Sequence, residues 1–162
     1  MTKIGMGLLG AACATLVTAC GGGDGGDARS DHLFYQSRSF DLQAHRGGLG
    51  LQTESSIASF SNALQMGVTT LEMDTQITKD GVAVVTHDRK ISDKKCQDTA
   101  PATVGDLQYP YVGKYIKDLT LAQVKTMDCG SLRQAAYPNQ KTSPGATMQT
   151  PRELLALSKA YR

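Results

Sequence analysis

The stretch Leu71 to Asp88, LEMDTQITKDGVAVVTHD, decides how this chain folds and where its chemistry lies. Val68 to Thr75 is rich in β-branched residues and reads as a strand, on which side chains two positions apart leave by the same face. Glu72 and Asp74 then project together. Hard divalent cations such as Mg²⁺ and Ca²⁺ take carboxylate oxygens as ligands, so the pair is a candidate half of a metal site, although a solvated strand face gives the same pattern. A second apolar run, Val82 to Val85, follows the turn signal Lys79-Asp80-Gly81 and closes in His87-Asp88. The turn reads locally as a hairpin, whereas parallel neighbours need a crossover of a dozen or more residues.

Upstream, another apolar run, Phe40 to Ala44, closes in His45-Arg46-Gly47-Gly48. In α/β folds the strand cores are buried and the loops at their carboxyl ends are open to ligand, so polar residues at strand ends mark a site. Two histidines, an arginine and two carboxylates suit phosphate-ester chemistry: imidazoles for proton transfer, a planar guanidinium for phosphate oxygens, and a metal to offset charge. Gly47, Gly48 and Gly50 let the backbone turn sharply or approach a ligand. Asp88 either orients His87 or caps its loop, and the capping role is the favoured one.

Between the two segments, Ser55 to Met66 reads as a helix with Ile57, Phe60, Ala63 and Leu64 on one face and Gly67 closing it. Glu54 stands just before it, where a carboxylate complements the helix dipole. Thr120 to Gln123 is a capping box opening a helix to about Met127, and Thr150-Pro151-Arg152-Glu153 opens another that runs to the end of the chain. From Arg89 to about Lys117 the sequence is rich in turns; its lysines read as solvated surface, the Tyr109 to Tyr115 cluster is not taken as a stacking platform, and the region is a candidate cap over the substrate.

The order HRG, a Glu before an amphipathic helix ending in Gly, then ExD, TKDG and an apolar run into HD resembles the glycerophosphodiester phosphodiesterase family. The match is close from His45 to Asp88, and DLTLAQVKTMDCGS, Asp118 to Ser131, resembles the family's next helix and turn. The resemblance implies an α/β fold of the (β/α)8 TIM-barrel type and hydrolysis of a glycerophosphodiester to an alcohol and glycerol 3-phosphate. It implies that Glu72 and Asp74, with Glu54 close by, bind Ca²⁺ or Mg²⁺, that Arg46 holds phosphate oxygens, and that His45 and His87 serve as acid and base. Thr53-Glu54-Ser55 departs from the family's Pro-Glu-Asn, losing an amide that could fix the loop or touch substrate. In the family a strand carrying Glu-x-Lys follows the helix that PRELLALSKAYR resembles. A TIM barrel typically needs about 250 residues and this chain has 162, so residues 39–162 are expected to form an N-terminal half of the barrel. Two other readings stay open: a non-catalytic phosphate- or metal-binding lipoprotein, and a phospholipase of the same barrel type.

Residues 1–19 read as an export signal, with Lys3 in the n-region, an apolar stretch, and Val17-Thr18-Ala19-Cys20 resembling the bacterial lipobox. Cleavage would leave a lipidated Cys20 and, over residues 20–38, a flexible tether containing GGGDGGD, on the periplasmic side of the bacterial cell envelope. His32 belongs to no motif, and Phe34 and Tyr35 are expected to cover the barrel end or its first strand. Of four cysteines, Cys13 leaves with the signal and Cys20 takes lipid. Cys96 and Cys129 remain, and an oxidising compartment makes a disulfide between them an open expectation; they lack the CxxC spacing of a metal site. A net charge of +2 with 20% charged residues gives no nucleic-acid footprint.

Overall fold

The computed structural model describes residues 40–161. The expected export signal and tether, with Cys20, His32, Phe34 and Tyr35, lie outside the described residues. The described elements are strands β1 (Gln43–Ala44), β2 (Thr70–Leu71), β3 (Thr75–Ile77) and β4 (Ala83–Val85) and helices α1 (Ile57–Gln65), α2 (Leu121–Val124) and α3 (Pro151–Ala160), with 3-10 turns at His45–Gly47 and Ile116–Asp118. β1 and β2 pair in parallel, Ala44 opposite Leu71, and α1 makes the crossover between them. β3 and β4 form an antiparallel hairpin, Thr75 opposite Val85, turned at Thr78 to Val82, with Gly81 taking the positive φ of 79° that the tight turn needs. The local reading of Lys79-Asp80-Gly81 as a hairpin is therefore what forms. Among the described residues both sheets are two-stranded and neither closes.

The expected single strand from Val68 to Thr75 is broken at Glu72–Asp74. The chain changes partner there. Glu72 still donates its N–H to Ala44 of β1 at 3.1 Å, while the carbonyl of Asp74 already accepts from Thr86, just past β4, at 3.0 Å. Three residues bridging two different neighbours cannot keep one ladder. The upstream run is shorter than expected too, since only Gln43 and Ala44 pair and Phe40 and Leu42 are exposed.

All three helices start on capping boxes: Ser56 with Ser59, Thr120 with Gln123, and Thr150 with Glu153, the last with Pro at the first turn. Phe60 and Ala63 bury the inner face of α1, whereas Ile57 is exposed, because at the first position of the helix it lies beyond the packed stripe. β4 is buried on both faces: Val84 enters one apolar cluster and its neighbour Val85 another, with Phe60 and Leu154. The first cluster shows that Arg89 to Lys117 is not merely a surface insertion. Ile91, Tyr111 and Ile116 are fully buried in it, and the Tyr111 hydroxyl accepts from Ala102 N–H and donates to Asp106, each at 2.7 Å.

Cys96 and Cys129 are joined in a disulfide beside an antiparallel bridge between Gln97 and Asp128, whose N–H groups donate to each other's carbonyls at 2.8 and 3.1 Å. Burial pushes the Asp128 carboxyl up, but hydrogen bonds from the Ser131 hydroxyl and from the N–H groups of Gly130 and Ser131 outweigh it and hold the group at about 2. That carboxylate fixes the turn after the disulfide.

The turn after β1 is joined to α1 through Gly47. Its φ is 81°, and a Cβ there would stand 2.5 Å from Ser59 Oγ. Gly47→Ala should therefore destabilise the fold by about 2 to 4 kcal/mol, from left-handed backbone strain plus overlap, read as a drop in the urea midpoint at unchanged slope.

Candidate active site

Because β1 and β2 are parallel, their carboxyl ends lie at one rim, and β4 runs to the same rim, since Thr86 just past it pairs with Asp74. His45 follows β1 directly, Glu72 follows β2 directly, and His87 comes two residues after β4. Arg46 lies at the centre of this rim in a left-handed conformation (φ 51°, ψ 34°). There its N–H donates to Glu72 Oε2 at 2.8 Å while its carbonyl accepts from Ser55 N–H at 2.9 Å. The guanidinium Nη1 donates to Glu54 Oε2 at 2.9 Å, and Nε lies 3.5 Å from Asp74 Oδ2. Glu72 and Asp74 thus converge on one residue despite the broken strand.

Lys95 extends the network. Its ammonium lies 2.5 Å from Glu54 Oε1 and 2.8 Å from Asp88 Oδ2, and Asp88 Oδ1 lies 2.8 Å from His87 Nδ1. Gln134 Nε2 donates to Glu54 Oε1 at 3.2 Å. Two sequence expectations are corrected here. Lys95 is a half-buried ion-pair partner rather than solvated surface, and Asp88 orients His87 rather than capping its loop. The one sequence signal for Lys95 was its place beside Cys96, because a covalent bond at the next residue fixes the backbone that carries it.

Burial works against the charge on Glu54, but hydrogen bonds and attraction from Lys95 and Arg46 prevail and hold its carboxyl below the ordinary value. Asp88 is likewise held down, burial being outweighed by Lys95 and His87. Arg46 and Lys95 are held above their ordinary values: burial opposes their charge, and the carboxylates they face overcome it. Ser55, at the position where the family carries Asn, takes a φ of 57° and is buried with no hydrogen-bond partner for its hydroxyl. Asn tolerates that backbone better than Ser and has an amide to offer, so the departure leaves a local defect.

Four carboxylates, Glu54, Glu72, Asp74 and Asp88, face two cations, Arg46 and Lys95, an excess of negative charge that with all-oxygen donors fits a divalent cation. Among the described residues no three His, Cys, Asp or Glu side chains converge closely enough to hold one by themselves. Glu54 has both oxygens engaged by Arg46, Lys95 and Gln134, which leaves Glu72 and Asp74 as the better placed ligands. Asp74 also lines an open cleft, with Gln76, His87 and Asp88 on one side and Arg89 to Asp93 with Val112 and Gly113 on the other. His45 is exposed and lines a separate, apolar recess with Leu42, Leu49, Met66 and Val68, so the two histidines do not share one pocket here.

The sequence profile of the glycerophosphoryl diester phosphodiesterase family matches residues 45–159. The chain belongs to that family. It is 37% identical over 101 residues to a glycerophosphodiester phosphodiesterase of Bacillus subtilis, covering 62% of this chain and 29% of that one. A lysophospholipase D of Homo sapiens is 39% identical over 75 residues, 44% of this chain and 23% of its own. Among solved structures, a glycerophosphoryl diester phosphodiesterase from Silicibacter pomeroyi superposes with a TM-score of 0.63 at 27% identity, covering 75% of this chain and 41% of that one. An Oleispira antarctica phosphodiesterase solved with the product sn-glycerol-3-phosphate gives 0.55 at 25% identity, with the same coverage. The fold is thus α/β and of the family's barrel type, and the chain spans less than a third of the length of these curated relatives.

The ion network carries a pH signature. The contributions of Glu54 and Asp88 are complete above their ordinary values of 4.5 and 3.8 and are lost as pH falls through their lowered folded values. That of Lys95 is complete below 10.5 and is lost as pH rises through its raised value. Glu54→Gln should cost about 3 kcal/mol at neutral pH and flatten the acid limb of stability against pH, both read from urea midpoints between neutral and strongly acid pH.

Proposed function

We propose that this domain hydrolyses glycerophosphodiesters, with water replacing the alcohol on phosphorus to release that alcohol and glycerol 3-phosphate. The observation that carries the reading is His87, anchored through Nδ1 on Asp88 in a cleft shared with Asp74, whose other neighbour is Arg46. An imidazole so held has Nε2 left for proton exchange with a bound ester. Arg46, fixed by Glu54 and Asp74, would hold phosphate oxygens with its remaining donors. His45, the first residue after β1 and next to Arg46, would take the complementary acid or base role once its ring turned from the apolar recess it lines towards the cleft. Glu72 and Asp74, with Glu54 beside them, would hold Ca²⁺ or Mg²⁺, which when bound offsets charge on the phosphoryl oxygens. On the same reading residues 39–162 are the N-terminal part of the barrel, and the carboxylate of a later Glu-x-Lys strand would add to this oxygen set.

The N-terminal motif supports a further part of the proposal, that Cys20 is lipidated and tethers the domain on the periplasmic side of the envelope. Among the described residues no helix is long and apolar enough to cross a membrane. Cys20→Ala should move the protein from the membrane to the soluble fraction.

The purified chain, and any longer form of the protein, should release choline from glycerophosphocholine when supplied with Ca²⁺ or Mg²⁺ and stop when chelator is added. His87→Ala and His45→Ala should each lower kcat by about 10² to 10⁴. Metal binding without turnover of any diester would instead identify a non-catalytic binding protein. Preferential release of head group from intact or lyso-phospholipid would identify a phospholipase.

A further inference from the structure

Lys95 lies outside the motifs that carry the family resemblance, yet its side chain touches both the His87 and the Arg46 sides of the rim. Its ammonium joins Asp88, the partner of His87, to Glu54, the partner of Arg46. We propose that Lys95 is a positioning residue: held beside the Cys96–Cys129 disulfide, it locks Asp88 so that His87 carries its proton on Nδ1 and keeps Nε2 free for the substrate. The assignment rests on the reading of His87 as an acid–base group.

Asp88 divides its oxygens, Oδ1 towards His87 and Oδ2 towards Lys95. A carboxylate turns as a rigid plane, so a partner on one oxygen fixes the direction of the other. With its acidity raised, Asp88 is an acceptor only, and the hydrogen between it and the imidazole therefore belongs to Nδ1. Without Lys95 the plane of Asp88 is free to turn, and a neutral imidazole exchanges between its two tautomers.

A lysine on a free surface segment would not serve, because a strongly hydrated ammonium on a four-carbon stem stays in water. Here the side chain is only 22% exposed and its backbone is pinned. The next residue, Cys96, is bonded to Cys129, and the one after, Gln97, is paired with Asp128 through both backbone hydrogen bonds. Glu54 on the far side is itself fixed by Arg46 and Gln134. The lysine therefore acts as a strut between two anchored carboxylates, and it relays the position of the disulfide segment to the imidazole.

The test compares wild type, Lys95→Met, Lys95→Gln and Lys95→Arg by ¹⁵N NMR of the imidazoles at a pH where they are neutral, with His87 assigned from the spectrum of His87→Gln. Wild type and Lys95→Arg should show a single Nδ1–H tautomer at His87, since a guanidinium also spans two carboxylates, while Lys95→Met should show a mixture. Lys95→Gln, uncharged and too short to reach both carboxylates at once, should also show a mixture and gives the reading if the Met variant does not fold. In steady-state hydrolysis, kcat should fall about 10- to 100-fold at nearly unchanged KM and recover in Lys95→Arg. A His87 that stays wholly Nδ1–H in whichever uncharged variant folds overturns the proposal. A wild-type chain that turns over no diester overturns the hydrolase reading instead, and the tautomer measurement still decides the role of Lys95.

Discussion

Taking Glu54 out of water is unfavourable unless cations meet both of its oxygens, and Arg46 and Lys95 do so. This compensation organises the rim. Arg46 reaches Glu54 because the turn after β1 is left-handed and seated on α1 through Gly47. Lys95 reaches it because the Cys96–Cys129 bond draws a segment from far along the chain against the loop before α1. Asp74 and Asp88 then share the two cations, so an open cleft borders a charge network that is itself largely sheltered. Strands of two and three residues could not hold such a site by ladder hydrogen bonds alone. Side chains and turns do most of the holding.

β4 shows how the fold delivers that rim. With Val84 in one apolar cluster and Val85 in the other, it is fixed from both faces, and the short run from Val85 to His87 leaves little freedom in where the imidazole emerges. The parallel β1–α1–β2 unit fixes His45, Arg46 and Glu72 by the same logic, each just past the end of a paired strand. A hairpin inserted beside a parallel unit places residues from Arg46 to Asp88 at one edge, and the family relationship is carried by that arrangement.

Much of this was legible in the residues. The capping boxes at Thr120 and Thr150 depend on side chains three apart, a local signal, and both form. The hairpin at Lys79-Asp80-Gly81 depends on a turn needing positive φ, and glycine announces it. What stayed hidden were properties of partnership. The break at Glu72–Asp74 arises because β2 faces one neighbour and β3 another, and no pattern within the segment encodes which strand lies beside it. Lys95 looks like any surface lysine until the disulfide locates its backbone, and Asp88 looks like a loop cap until Lys95 turns its carboxylate towards His87. Tyr111 and Ile91 read as part of a turn-rich region because the core they complete is assembled from β4 and α2, which flank that region on either side, and no pattern inside it shows that the two meet.

Arg46 serves the rim twice over, once through its guanidinium and once through its peptide N–H on Glu72. Exchanging the side chain erases only the first of these, since every amino acid except proline would present the same amide. A conventional mutational scan therefore undercounts this position. Its full weight would emerge only from chemistry on the main chain itself, where an ester oxygen in place of that nitrogen would release Glu72 while leaving the guanidinium as it was.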